Sequence, residues 1–137
     1  MDMRLEAIVI GVADVERAKE FYEKLGFTCD VDHEASEGFR IVQFTPPGSN
    51  TSVLFGKGVG AGEPGAVQGL YLCVDDIAAA HAEIKQRGID VGEPFHFGAS
   101  GQTAGLHPDR TRYATFATFS DPDGNGWLLQ EVDRRAE

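Results

Sequence analysis

Two pairs of acidic side chains stand at the short spacing that general acid–base catalysis uses. Asp75 and Asp76 are adjacent, and one residue separates Asp121 from Asp123. The first pair, however, begins a helix-like segment, where an aspartate accepts hydrogen bonds from free backbone N–H groups. The second pair lies in a turn that contains proline and glycine, a setting that favours aspartate without any chemistry. We therefore interpret both pairs as structural.

A second reactive feature is the glycine-rich stretch from Phe97 to Arg110, which His96 and His107 flank. Tyr113 and Trp127 follow closely in the sequence. Histidine titrates near neutral pH, and long loops in compact domains often act as lids over a site. Two interpretations stay open: a lid whose neighbours His96, Tyr113 and Trp127 contact a ligand, or a mobile surface loop without a role. Because Trp127 alternates with Leu128, packing against a helix is the alternative for that residue.

The remaining candidate metal ligands are not spaced as a metal site requires. Cys29 and Cys73 form no CxxC motif and are predicted to be reduced structural thiols. His33 and His81 are predicted to lie on the surface or on a helix flank. No zinc site follows from these residues.

The elements that position these side chains form an α/β unit that occurs twice. Asp14 matches Asp76 and Gly26 matches Gly88, each 62 positions apart. Each aspartate precedes apolar residues at helical spacing, and each glycine suits the left-handed position after a helix. The sequence therefore predicts two equivalent helices, each capped by an aspartate and ended by a glycine.

Strand-like runs surround both helices. The first copy has EAIVIGV before its helix and FTCDVDHE, GFRIVQFT and TSVLFG after it; the second has GLYLCV before and IDVGEPFHF, RYATFATFS and GWLLQEV after. The turns that contain Pro47 and Pro122 are 75 positions apart, so 13 extra residues enter the second copy, and we place them in Phe97–Arg110. We predict one α+β domain over residues 1–137, made of two β-α-β-β-β modules at about 3–56 and 67–133, with a glycine-rich linker at 56–66.

Two motifs in this duplicated frame resemble those of the vicinal oxygen chelate superfamily, which includes glyoxalase I, extradiol dioxygenases and bleomycin-binding resistance proteins. The motifs are FYEKLGF at Phe21–Phe27 and FSDPDGN at Phe119–Asn125. The resemblance covers nearly the whole chain. It implies that the two modules form a curved mixed sheet, a half-barrel around a central ligand cavity.

The resemblance also implies where a divalent metal would be bound. Counting from the capping aspartates and from Asn125 places the four positions at Ala7, Val53, Gly69 and Leu128. None of these side chains has a donor atom for a metal ion. We therefore expect no cofactor, with a divalent metal as the alternative.

Strand alternation predicts which neighbours face the cavity. In the second module, Tyr71 and Cys73 lie on the side of Gly69, and Gln130 lies on the side of Leu128. These three residues are candidate ligand contacts. Cys73 is expected to act as a small apolar residue rather than as a nucleophile, since no activating histidine is evident.

A shift of one residue in strand register would change the metal prediction. Glu6, Gln68 and Glu131 would then approach the cavity, and all three carry oxygen donors. The same shift would turn the apolar side chains Ile8, Ile10 and Val12 away from the helix. The register without metal ligands is therefore favoured.

Composition excludes several function classes. The formal net charge is −10 with no basic stripe, which argues against nucleic-acid binding. No apolar run approaches the roughly 18 residues that span a bilayer. The first residues do not resemble a signal peptide, so we expect a cytoplasmic protein without a membrane partner.

Two functions remain in competition, and a third, a plain dimeric interaction module, is favoured by no feature of the sequence. The first is a metal-independent small-molecule-binding protein of the bleomycin-resistance kind, which sequesters or acts on an aromatic or cationic compound and forms a homodimer. The second is an enzyme, either a metal-dependent glyoxalase-like lyase or dioxygenase, or a metal-free catalyst using Tyr, His or Gln. Fold alone does not decide between them.

Overall fold

A computed structural model describes residues 1–132 of the protein. In chain order its elements are β1 (Ala7–Val9), α1 (Val15–Leu25), β2 (Thr28–Ser36), β3 (Phe39–Thr45), β4 (Ser52–Lys57), β5 (Leu70–Val74), α2 (Ile77–Gln86), β6 (Phe95–Gly98), β7 (Gly101–Ala104), β8 (Thr115–Ser120) and β9 (Gly126–Glu131). Within that range, neither helix is long and apolar enough to cross a membrane.

The strand order confirms the predicted α+β fold and its duplication. One sheet has the order β1-β4-β3-β2, and the other has the order β5-β9-β8-β6-β7. In each sheet the strand before the helix pairs in parallel with the last strand, and the remaining pairs are antiparallel. Each sheet is open in this strand order, with no barrel closure among the described residues.

The two helices begin as the sequence predicts. The Asp14 carboxylate accepts from Arg17 N at 3.1 Å, and the Asp76 carboxylate accepts from Ala79 N at 3.2 Å. Both aspartates have an extended backbone, as N-cap residues do. Gly26 and Gly88 follow the helices with φ of 96° and 85°, values that disfavour any side chain.

Part of the 13-residue insertion in the second copy forms a β-strand, which the sequence did not predict. Residues Gly101–Ala104 form β7, which pairs antiparallel with β6 at the edge of the second sheet. The strand GQTA has no apolar alternation, and its four residues are exposed, so its only sequence signal was the turn before it. The predicted strand IDVGEPFHF is limited to Phe95–Gly98.

By their internal contacts, the described residues fall into two compact units. The first comprises Met1–Val67 together with the turn Asp121–Asn125, and the second comprises Gln68–Ser120 and the segment from Gly126 onward. The predicted second module ended at residue 133, which lies just outside the described residues. The assignment of the whole chain to one domain stays a prediction.

An aromatic cluster fills the core of the first unit. Tyr22 is fully buried, with ring centroids at 5.7 Å from Phe55 and 6.0 Å from Phe44. The rings of Phe44 and Phe55 are stacked at 5.9 Å. These rings join α1 to the inner face of the first sheet, and burying each contributes roughly 1.5–3 kcal/mol.

In the second unit, apolar residues of α2 and the inner sheet face form the core. Ile77 of α2 is fully buried, and Leu129 of β9 is 1% exposed. Trp127 and Phe119 stack at 6.1 Å with nearly parallel rings. This packing assigns alternate residues of β8 and β9 to the core and leaves the others on the opposite face.

Candidate functional site

One row of side chains crosses the second sheet on the face opposite α2. The strand register aligns Cys73 with Gln130, Gln130 with Phe116, and Phe116 with Phe95. A neighbouring row aligns Tyr71, Leu128 and Thr118. Adjacent strands lie about 4.8 Å apart, so such rows bring side chains into contact. We call this surface the open face.

Three phenylalanines form an aromatic cluster on the open face. Phe95 lies 5.9 Å from Phe97 with perpendicular rings and 5.7 Å from Phe116, and Phe97 lies 6.0 Å from Phe116. Phe97 is 61% exposed, which is unusual for a large apolar side chain. This cluster could not be predicted from local sequence, because it depends on the pairing of β6 with β8. The alternation in FHF and ATF was the signal available for it.

Tyr71 and Cys73 lie on this face, as predicted. Tyr71 is 59% exposed, and Cys73 is exposed as a free thiol. Gly69, just before β5, has φ of 77°, and a Cβ atom there would meet nothing within 4 Å. The start of β5 therefore leaves open space beside Tyr71.

The Gln130 amide is oriented by a backbone carbonyl. Its Nε2 donates to the carbonyl of Tyr113 at 3.1 Å. Since the amide nitrogen is engaged there, Oε1 is the remaining group, and it has no hydrogen-bond partner among residues 1–132. An amide oxygen accepts up to two hydrogen bonds. Gln130 thus presents an acceptor on the open face, next to Phe116.

The backbone around Tyr113 is held in place, although its ring is 50% exposed. Tyr113 has φ of 69°, and its N–H donates to the Glu131 carbonyl at 2.9 Å. The Arg112 guanidinium lies 5.6 Å from the centre of the Tyr113 ring. This segment is therefore attached to β9 at the point where Gln130 also binds it.

An ion pair between Arg110, whose side chain is 43% exposed, and the buried Glu131 anchors the same segment. The Nε atom of Arg110 donates to Glu131 at 2.8 Å, a second contact joins the same two side chains, and the Ile77 N–H donates to Glu131 at 3.0 Å. Glu131 is 3% exposed. The Arg110 guanidinium holds the pKa of the Glu131 carboxyl below its usual value, the Ile77 N–H acts in the same direction, and burial opposes both.

Two predicted ligand contacts lie away from the open face. Trp127 is 4% exposed and stacks on Phe119 in the core. His96 is 8% exposed, and its Nδ1 lies 2.8 Å from the Gly105 carbonyl. Both residues alternate with open-face positions of their strands, so the structure does not bring them together with Tyr71 and Gln130.

One of the four positions assigned to the family's metal ligands was wrong. Val53 was expected to face the ligand, but it is 4% exposed and pairs with Ile8 on the core side. Leu54, which pairs with Val9, takes the place equivalent to Leu128. The cause is Thr51, an extra residue between the turn and β4 that has no counterpart between Asn125 and Gly126.

The register shifted by one residue, which would bring Glu131 towards the cavity, is wrong for that residue. Its side chain lies on the core side, where Arg110 and the Ile77 N–H occupy its oxygens. Gln68 precedes β5, and its Oε1 lies 2.1 Å from where a Cβ on Gly126 would stand. Glu6 precedes β1, and its carbonyl accepts from Ser52 N at 2.8 Å.

The side chains at the four positions equivalent to the family's metal ligands do not fit a divalent metal. Ala7, Leu54, Gly69 and Leu128 have no nitrogen, oxygen or sulfur donor, and metal ions of this kind require such donors. Among residues 1–132, no group of three or more His, Cys, Asp or Glu side chains is arranged to hold a metal ion.

Comparison with known proteins assigns the chain to a family. Residues 4–129 match the model of the Glyoxalase/Bleomycin resistance protein/Dioxygenase superfamily. The chain is similar to TnmS3, an antibiotic-binding protein from Streptomyces sp. CB03234, with 30% identity, a TM-score of 0.72 and coverage of 96% of this chain and 97% of that one. A superfamily member from Sphaerobacter thermophilus is also 30% identical, with a TM-score of 0.71 and coverage of 95% and 98%.

The uncharacterized protein YetH of Bacillus subtilis is 26% identical over 134 residues, which span 96% of this chain and all of YetH. The matched region contains both helices and all nine strands except the last two residues of β9, Gln130 and Glu131. The chain therefore belongs to the Glyoxalase/Bleomycin resistance protein/Dioxygenase superfamily.

Proposed function

We propose that the chain binds a small planar aromatic compound on the open face, without a metal ion. The observation that carries this proposal is the aromatic cluster of Phe95, Phe97 and Phe116 beside the free acceptor of Gln130; Phe97 is exposed and the other two rings are partly buried. Exposed aromatic rings offer faces and edges on which a flat ligand stacks. The antibiotic-binding relative TnmS3 supports a role in sequestering such a compound.

The polar groups favour a ligand that carries a hydrogen-bond donor. Gln130 offers an acceptor, and Tyr113 keeps its amide from turning over. A site built to hydrogen-bond a ligand hydroxyl disfavours an analogue without it, because the polar group of the site is then left unpaired. The net charge of −10 adds a general preference for cationic compounds.

Paired fragments test the proposal directly. 2-Naphthol carries a donor, and 2-methoxynaphthalene has the same rings without one. We expect 2-naphthol to shift the amide NMR signals of Tyr71, Cys73 and Phe97 and to bind several-fold more tightly than the ether. Gln130→Leu should abolish that difference, and Phe97→Ala should weaken both fragments by about 2–10-fold, the size of one aromatic contact.

Phe39→Ala is the matched control, since Phe39 is a partly exposed ring of the first unit that lies outside the open face. It should leave both affinities unchanged. Unchanged binding in Phe97→Ala and Gln130→Leu would refute the proposal.

The alternative function, a metal-dependent glyoxalase-like lyase or dioxygenase, is tested separately. Protein purified without chelators is analysed for bound metal and heated with Ni²⁺, Zn²⁺, Mn²⁺ and Fe²⁺. We expect no stoichiometric ion and no rise in Tm. A bound ion, or the stabilisation that tight binding gives by mass action, would overturn the metal-free proposal.

We also propose that the chain forms a homodimer. Strand β2 is the edge of the first sheet, and all nine of its residues are exposed. Met3 and Leu5 are 86% and 63% exposed. Exposed strand edges and apolar side chains favour association. Light scattering should give twice the 14.8 kDa chain mass, and a monomer mass at all concentrations would contradict the dimer.

A further inference from the structure

The second unit contains a cavity that is separate from the open face. It has a volume of about 430 Å³ and lies between α2 and the residues that flank the β6–β7 hairpin. Ala78 and His81 contribute from α2, and Glu93 and Pro94 from the segment before β6. Small-molecule sites have volumes of roughly 300–1,000 Å³, so this cavity is large enough for a ligand.

The opposite wall of the cavity is apolar and preformed. It consists of Ala104, Gly105 and Leu106. Gly105 N donates to the Pro94 carbonyl at 2.8 Å, and the Gly105 carbonyl lies 2.8 Å from His96 Nδ1. A Cβ on Gly105 would meet nothing within 4 Å. Because this backbone is already held, a ligand would not have to order it.

His81 supplies an unpaired polar atom. It was expected on the surface or on a helix flank; it lies on α2, and only 12% of its side chain is exposed. Its Nε2 is buried without a hydrogen-bond partner in the described part of the chain. An unsatisfied buried polar group destabilises the fold, so a ligand that hydrogen-bonds to it gains affinity.

A carboxylate lies beside this imidazole. Glu93 Oε1 is 3.8 Å from His81 Nε2, too far for a hydrogen bond, and the Glu93 side chain is 77% exposed. A donor placed between the two atoms can hydrogen-bond to both. Lys85 Nζ is 4.0 Å from the same oxygen, and its side chain is 68% exposed.

We propose that this cavity binds a small primary amine with an apolar body. The ammonium group donates to Glu93 and to Nε2 of His81, and the body lies against Ala78, Ala104 and Leu106. An anionic ligand would face the Glu93 carboxylate, and a purely apolar one would leave Nε2 unpaired. Lys85 competes with the ligand for Glu93.

Three benzyl compounds of similar size test the ligand class: benzylamine, benzyl alcohol and benzoate. In amide NMR titrations, benzylamine should shift the signals of Ala78, His81 and Gly105. It should bind at least several-fold more tightly than benzyl alcohol, and benzoate should not bind. Equal or tighter binding of benzyl alcohol would overturn the proposal.

Variants then test the location. Ala78→Leu should fill the cavity and abolish benzylamine binding, whereas Ala79→Leu, an exposed neighbour on the same helix outside the cavity, should not. Glu93→Gln should weaken benzylamine about tenfold, and Lys85→Ala should strengthen it several-fold. Both alter exposed side chains, so folding is preserved. Unchanged affinity in Ala78→Leu and Glu93→Gln would refute the site.

Binding of benzylamine in the cavity can be tested separately from binding on the open face. Benzylamine should leave the signals of Phe97 and Gln130 in place, and Ala78→Leu should leave 2-naphthol binding unchanged. If benzylamine instead shifts the signals of the open face and spares those of Ala78 and Gly105, the cavity is not its site.

Discussion

The Tyr22 hydroxyl donates a hydrogen bond of 2.8 Å to the carboxylate of Asp121, a residue 99 positions later in the chain. Tyr22 is fully buried, and Asp121 is 5% exposed. Asn125 Nδ2 donates to the same carboxylate oxygen at 2.8 Å and to the Gly11 carbonyl at 2.9 Å. The DPDGN turn is thus part of the polar core of the first unit.

Tyr22→Phe should lower the free energy of unfolding by about 1–3 kcal/mol, because a buried carboxylate loses one of its donors. Urea unfolding at neutral pH measures the change. Tyr71→Phe removes a hydroxyl from a ring that is 59% exposed and should change stability by less than about 0.5 kcal/mol. Equal effects in the two variants would contradict a structural role for the Tyr22 hydroxyl.

Gly65→Ala should be far more destabilising than Gly60→Ala. Both glycines have left-handed φ, 77° and 78°, so the backbone strain of roughly 1 kcal/mol is matched. A Cβ on Gly65 would lie 1.9 Å from the Asp123 carbonyl oxygen, whereas one on Gly60 would meet nothing within 4 Å. Thermal unfolding compares them, and similar Tm values would show that the turn does not approach Gly65 closely.

Val53→Asn and Leu54→Asn test the corrected register of β4. Val53 is 4% exposed and faces the core, so a buried amide there should cost several kcal/mol or prevent folding. Leu54 lies on the other face and is only partly buried, so the same amide should cost less. Circular dichroism and urea titration distinguish them. A larger loss at Leu54 would restore the uncorrected register.

Acid should weaken the fold through two carboxyls. The guanidinium of Arg40, together with Lys19, holds the pKa of Asp32 well below its usual value, and Arg110 lowers the pKa of Glu131. Because folded-state pKa values are depressed, the stabilisation is present above the unfolded pKa of about 4 and disappears as pH falls through the folded-state values.

Asp32→Asn and Glu131→Gln should therefore lower stability at neutral pH and flatten its decline below about pH 5. Unfolding free energies at pH 7 and pH 4 measure this. Glu37→Gln, at an exposed carboxyl without an ion pair in the described range, should keep the normal slope. A normal slope in both test variants would refute the assignment.

Local signals predicted much of this structure. The capping aspartates, the helix-ending glycines and the alternation in β5 and β9 each depend on a few neighbouring residues, and all were confirmed. Val53 was misplaced because one extra residue, Thr51, changes the register after a turn that otherwise matches. The cluster of Phe97 and Phe116 was missed because it requires long-range strand pairing that periodicity does not reveal. The place of His81 on a helix could be predicted, but its burial could not, because that burial depends on the segment around Glu93.

The membership of residues 121–125 in the first unit has a consequence for how the protein is made. During translation the N-terminus of the chain leaves the ribosome first, and folding units ordinarily form as soon as their residues emerge. Here Tyr22 is hydrogen-bonded to Asp121, and Gly11 to Asn125. The first unit therefore cannot complete its hydrogen bonds until most of the second unit has been synthesised. Biogenesis of the earlier copy is thereby tied to translation of the later one.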